Sequence, residues 1–214
     1  MVIPSINCPD LQCAQERIRI SERFFPFGKG WVHLDVADGK FTFNKTWGEP
    51  EEWRRLQTRL NLEVHLMGEE PEHVIDRWLK VGAKRIVVHL ETMNDEDFIV
   101  SLSREYGASA MLAISPETPV EALRLYFGKF SEFQILAVQP GLPGQSFLPI
   151  SLDKIHFLRE FLPNATIEVD GGVNLETGAR CLNSGANILV SASYIFGSEN
   201  PAQAYNTLSA LEQQ

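Results

Sequence analysis

FQILAVQPGLPGQSFLPISLDKIHFLREFLPNATIEVDGGVN, residues 133–174, holds one complete repeat of the architecture that this chain predicts. Residues 133–138 are a short apolar run, 140–147 a loop rich in proline and glycine, 151–161 a helical pattern, and 166–171 a second apolar run. Apolar runs of this length bounded by turn residues read as buried strands, and a helix between two of them reads as the crossover of a parallel pair. Gly171 and Gly172 close the unit.

The alternation continues in both directions. Further strands are predicted at 2–6, 31–36, 62–67, 85–90, 109–114 and 187–192, eight in all with the two above. Helical patterns separate them at 10–25, 50–60, 71–81, 95–106, 119–127, 174–184 and 201–212. Pro50, Pro71 and Pro119 stand where proline suits a first helical turn, while Gly82 and Gly185 stand just past a helix end. Eight units in 214 residues come to about 27 each, near the lower bound for a (β/α)8 TIM barrel. A doubly wound open sheet alternates in the same way but carries a glycine-rich turn after its first strand, and SINCPD at 5–10 is not one. The predicted fold class is therefore α/β, with residues 1–214 forming a single-domain (β/α)8 TIM barrel.

In such a barrel the reactive groups collect at the C-terminal ends of the strands. Here those ends carry Ser5, His33 with Asp35, His65, His89 with Glu91, and Asp170. In WVHLDVADGKF (31–41), the two-residue period of a strand sets His33 and Asp35 side by side on one face. A lone strand histidine is more often held by a backbone carbonyl. Two imidazoles and two carboxylates at equivalent strand ends, His33, Asp35, His65 and Asp170, instead suit one divalent ion such as zinc, iron, manganese or cobalt. Paired carboxylates beside an ion point to proton transfer on opposite sides of a substrate carbon, and composition alone leaves metal-assisted hydrolysis open. Glycine-rich loops at 140–147, 169–174 and 190–197 follow the last three strands, where barrels hold phosphate on backbone N–H groups.

The charge balance sets bounds on partners. A formal net charge of -9 argues against affinity for nucleic acid or an anionic membrane. No window approaches the roughly 18 apolar residues of a membrane span, and no signal-peptide pattern opens the chain, so a cytoplasmic protein is expected. Cys8, Cys13 and Cys181 form no Cys-x-x-Cys pair and read as reduced thiols. Trp47, Trp53 and Trp78 read as packing residues, and His89 as either a partner of a ligand histidine or a core residue.

The segments PSI (4–6), HLDVADGKF (33–41), VHLM (64–67), HLE (89–91), PGLPGQSF (140–147) and IEVDGGVN (167–174), in this order, closely resemble the signature segments of ribulose-phosphate 3-epimerases. The resemblance implies interconversion of D-ribulose 5-phosphate and D-xylulose 5-phosphate through an enediolate. It implies Asp35 and Asp170 as the acid/base pair, and His33, Asp35, His65 and Asp170 as ligands of one divalent metal. It also implies Ser5, Met67, Gly144, Gly171, Gly172 and Ser193 as substrate-binding residues, and association into a homo-oligomer.

Departures from the pattern cluster near the mouth: Ala37 where methionine is usual, Thr42-Phe43-Asn44, Leu136, Pro143, Ala192, and Glu117 in place of glycine. Pro143 supplies no N–H donor, and Ala192 adds a methyl group beside the expected phosphate loop. Two other readings stay open: an epimerase of a six-carbon ketose phosphate such as allulose 6-phosphate, admitted by the bulk lost at Ala37, and a non-catalytic paralogue that binds sugar phosphate. The Asp-x-Lys-x-x-Asp pattern of related decarboxylases is absent.

Overall fold

A computed structural model of the chain describes residues 1–28, 30–142 and 144–213. Eight parallel strands close on themselves in sequence order. They are β1 (Val2–Ile6), β2 (Trp31–Ala37), β3 (Asn61–Met67), β4 (Arg85–His89), β5 (Ser109–Ile114), β6 (Glu132–Leu136), β7 (Thr166–Asp170) and β8 (Ile188–Ser191). The ring shuts where Val2 pairs with Leu189 and Ile3 with Val190. The α-helices are α1 (Leu11–Glu22), α2 (Pro50–Arg55), α3 (Glu72–Lys80), α4 (Glu96–Glu105), α5 (Ile150–Phe161), α6 (Leu175–Ser184), α7 (Ser193–Phe196) and α8 (Pro201–Ser209). This is a (β/α)8 TIM barrel.

Strand alternation sorts the side chains into two layers. Outward residues such as Leu34, Val64, Val88, Leu112, Ile135 and Val169 are fully or almost fully buried in one continuous apolar core under the helices, which also takes in Trp47, Trp53 and Trp78. The inward faces are divided. Two opposite walls of the lumen are apolar, β1 with β8 through Ile3, Ile188 and Val190 and β4 with β5 through Val87, Met111 and Ala113. The walls between them, β2 with β3 and β6 with β7, carry His33, Glu63, Gln134 and Glu168, all 0% exposed.

Three features differ from the sequence expectation. The unit expected as a helix at 119–127 is a 3-10 helix, Val120–Tyr126. Its buried residues Val120 and Leu123 are three apart, with half-buried Tyr126 three further on, a spacing that suits three residues per turn. Ser193–Phe196, in the expected glycine loop at 190–197, is a short helix. Cys8 and Cys13 are not reduced thiols: they form a disulfide with a Cα–Cα distance of 5.7 Å, and Cys181 alone is a free, buried thiol, its pKa pushed up by burial to about 12. The pairing is local. Asp10 caps α1 by accepting from the Cys13 N–H at 2.9 Å, and that turn folds Cys13 back over Cys8.

Candidate active site

His33 and Asp35 lie on β2, His65 on β3 and Asp170 on β7, and their ligand atoms all fall within 4.8 Å of one another. His33 Nε2 stands 3.2 Å from both Asp35 Oδ1 and His65 Nδ1, and His65 Nδ1 stands 3.2 Å from Asp35 Oδ1. Asp170 Oδ2 completes the set at 3.8 Å from His33 Nε2 and 3.6 Å from His65 Nδ1. Four ligand atoms bonded at about 2.0 to 2.1 Å around a tetrahedral ion would lie about 3.3 Å apart.

The outer partners decide which ring nitrogens face inward. His33 Nδ1 stands 2.6 Å from Glu63 Oε1 and donates to it, which turns a lone pair on Nε2 toward the cluster. His89 Nδ1 donates to Glu91 Oε2 at 3.0 Å, so its Nε2 accepts from His65 Nε2 at 2.8 Å. That leaves the lone pair of His65 Nδ1 facing the lone pair of His33 Nε2, with carboxylate oxygens beside both. Four electron-rich atoms pointed at one another demand positive charge between them, and the donor set fits a divalent ion. His89 is thus a partner of a candidate ligand and not core filler.

The ionisation pattern carries the same demand. Burial alone would lower the His33 pKa, but its bonds to Asp35 and Glu63 overcome this and raise it well above the usual value; burial likewise opposes the rise of His65, which Asp170 and Asp35 produce. Burial works against ionisation of Asp35, yet the bonds from His33 and His65 hold its pKa well below the ordinary carboxylate range. His89 is lowered, by burial first and by the nearby His65, in keeping with a neutral relay. Glu91, despite its burial, is brought down to about 2 by His89, Thr118 and the Ser115 N–H.

The two aspartates are held differently. Asp35 is fully engaged: its Oδ2 accepts from Ser5 Oγ at 2.8 Å and from Asn7 Nδ2 at 3.1 Å. Asn7 also donates to the Gly141 carbonyl at 3.1 Å, tying the β6 loop to this carboxylate. Among the described residues Asp170 has no comparable anchor beyond its approach to the imidazoles.

Both aspartates open into one cavity, with Ser5 and Met67 in its lining and Leu136 and Val138 as apolar walls. Gly144, Gly171, Gly172 and Ser193 line it as well. At Gly172, with φ 66°, a Cβ would lie 2.6 Å from the Phe147 nitrogen, so only glycine lets the β6 and β7 loops meet there. Ala192 lines this cavity too, whereas the buried Ala37 is outside its lining and Phe43 is 79% exposed. Ala37 and Phe43 are therefore not themselves part of the cavity lining. Pro143 lies outside the described residues.

Below the cluster lies a second polar group that motif reading missed. Arg85 donates to Glu63 and pairs with Glu132 at 2.6 Å, and Gln134 donates to Glu168 at 2.9 Å. Burial raises Glu168 well above its usual pKa with help from the Glu63 charge, whereas burial of Glu63 is outweighed by His33 and Arg85, which lower it. The two neighbouring carboxyl groups are thus pushed in opposite directions. The two-residue period was the available signal: Glu63 precedes His65 by two and Glu168 precedes Asp170 by two.

A model of the ribulose-phosphate 3 epimerase family matches residues 1–196. The ribulose-phosphate 3-epimerase of Chlamydia muridarum is 36% identical over 204 residues, 92% of this chain and 88% of the relative. That of Bacillus subtilis is 34% identical over 97% of each, and that of Schizosaccharomyces pombe 32% identical over 97% of this chain and 91% of its own. Among solved structures, 3-hexulose-6-phosphate synthase from Salmonella typhimurium superposes with a TM-score of 0.73 at 14% identity, over all of this chain and 98% of that one. Orotidine 5'-phosphate decarboxylase from Pyrococcus horikoshii does so with a TM-score of 0.70 at 12% identity, over the whole of both chains. At those identities the structural likeness speaks for the barrel alone.

Proposed function

The chain belongs to the ribulose-phosphate 3-epimerase family and is an isomerase, and from that premise we propose that it interconverts D-ribulose 5-phosphate and D-xylulose 5-phosphate at C3. The observation that carries this reading is the convergence of two carboxylates, from β2 and β7, on one buried pair of imidazoles, both carboxylates opening into a cavity also lined by the paired glycines Gly171 and Gly172. His33, Asp35, His65 and Asp170 would hold one divalent metal, with zinc, iron, manganese and cobalt all compatible with the donor set. Such an ion supplies positive charge to the substrate oxygens as negative charge builds on them.

The side chains do the proton work. One aspartate, as carboxylate, takes the proton from C3; the electron pair of the broken C–H bond forms a C2–C3 double bond as the C2 carbonyl π pair moves onto its oxygen, leaving an enediolate. The other aspartate, as carboxylic acid, returns a proton to C3 from the opposite face, and the two have then exchanged protonation states. Ser5 and Asn7 keep Asp35 aimed. Met67, Leu136 and Val138 limit water around the enediolate. Gly144, Gly171, Gly172 and Ser193 would take the phosphate on backbone N–H groups.

The test is solvent exchange. Metal-reconstituted protein in D2O should place deuterium at C3 of D-ribulose 5-phosphate and yield xylulose 5-phosphate, both read by NMR; washout without product, or no exchange with metal bound, would send the search to another ketose phosphate. Six-carbon ketose phosphates, which the bulk lost at Ala37 suggests, would be tried next.

The His89 relay gives a separate expectation. His89→Ala removes the acceptor that orients His65, and metal affinity should fall about 10- to 100-fold. Competition against a chromogenic chelator measures it, and an unchanged affinity would assign His89 to packing alone.

A further inference from the structure

The cavity that holds Asp35 and Asp170 has no lysine or arginine among its lining residues. A phosphorylated substrate would bring a dianion into a site with two aspartates, in a chain of net charge -9, and the loop that should cradle the dianion contains Pro143, which has no N–H to give. Some cation is wanted at that end.

One stands at the border. Gly144, Ala192 and Ser193 line the reactive cavity and also, with Arg17, Phe196 and Gly197, a neighbouring cavity of about 230 Å3. Arg17 projects from α1 into this second space. Its Nη1 donates to the Asn7 carbonyl at 3.0 Å, and its Cζ lies 5.1 Å from the centre of the Phe196 ring, which steadies the guanidinium plane. Among the described residues it forms no ion pair. Burial lowers its pKa against the opposing charges of Asp35 and Glu16. Lys154, whose partners follow β5, is already bonded to the carbonyls of Ser115, Pro116 and Thr118.

We propose that Arg17 is a side-chain ligand for the substrate's phosphate, closing the phosphate site from the α1 side through its uncommitted N–H donors. A guanidinium offers two parallel donors to a phosphate and carries the charge that backbone amides lack. The inference rests on the reading of the substrate as a phosphorylated ketose.

The test compares wild type, Arg17→Ala and Arg17→Lys in two measurements. Inorganic phosphate, titrated against the metal-loaded protein by calorimetry, should bind about 10- to 100-fold more weakly to Arg17→Ala, the worth of one charge-assisted bond, with part of the loss recovered in Arg17→Lys. The ratio of kcat/KM for D-ribulose 5-phosphate to that for unphosphorylated D-ribulose should drop by the same factor, mostly through KM. An unchanged ratio with both substrates slowed alike would overturn the proposal and leave Arg17 as a residue that positions Asn7. Phosphate affinity equal in wild type and Arg17→Ala would overturn it as well. Failure of the epimerase reading is separate: wild type would then turn over neither ketose, while the phosphate titration would still decide the role of Arg17.

Discussion

An Asp170→Asn protein is expected to fold, to keep its cavity, and to lose turnover by roughly 10²- to 10⁴-fold, the usual worth of a positioned acid or base. Asparagine matches aspartate in shape. Among the described residues the Asp170 side chain holds no hydrogen bond to the backbone or to another element that its loss would break, only the approach to His33 and His65. The change therefore removes proton transfer and some metal affinity and little else. The informative readout is deuterium at C3 of D-ribulose 5-phosphate: with Asp170 silent, Asp35 can still take a proton from its own face and return it there. Slow exchange without xylulose 5-phosphate would be the signature of a one-sided site. Full epimerisation by Asp170→Asn would rule out Asp170 as half of the pair.

Stripping the metal should abolish turnover and also lower thermal stability, and the second effect is independent of which substrate is used. In the metal-free protein, four buried donors face one another with protons as their only source of positive charge. An ion at about 100 times its dissociation constant adds about 2.7 kcal/mol to stability, which for a chain of this size corresponds to a rise in Tm of about 5 to 10 °C. Differential scanning calorimetry with and without a chelator, and with zinc or cobalt restored, measures it. His33→Gln serves as control: the metal-dependent rise in Tm should vanish with that ligand removed. A wild-type Tm that does not move over the whole metal range would mean that the four residues serve some purpose other than binding an ion.

The parts of this molecule that were legible in the sequence are those with a short-range physical signature. A strand buried on one face by helices and on the other by the lumen must be an unbroken run of seldom-exposed residues, and runs such as 109–114 coincide with the observed strand. His33, Asp35, His65 and Asp170 were legible because ionisable groups at the ends of such runs have no structural excuse. Glu63, Arg85 and Glu168 escaped because they lie deeper in the same strands, where an isolated charge reads as a solvated edge; their purpose is visible only once β3, β4 and β7 are wrapped into one lumen. Asn7 and Arg17 escaped for a different reason. Each reaches toward the late loops at sequence separations over which local spacing carries no information. The Cys8–Cys13 bond depended on a cap at Asp10 that counting cysteines cannot register.

The divided lumen has a bearing on how this enzyme can change. In a barrel filled throughout by branched apolar side chains, the filling answers to volume alone and can drift while the mouth is held constant. Here part of that filling is a chain of contacts running from Glu132 through Arg85 and Glu63 to His33, so the bottom of the barrel and the candidate site share members. Heat tolerance and turnover are therefore inherited together: a lineage cannot trade the floor residues for tighter packing without also re-aiming the imidazole at the top.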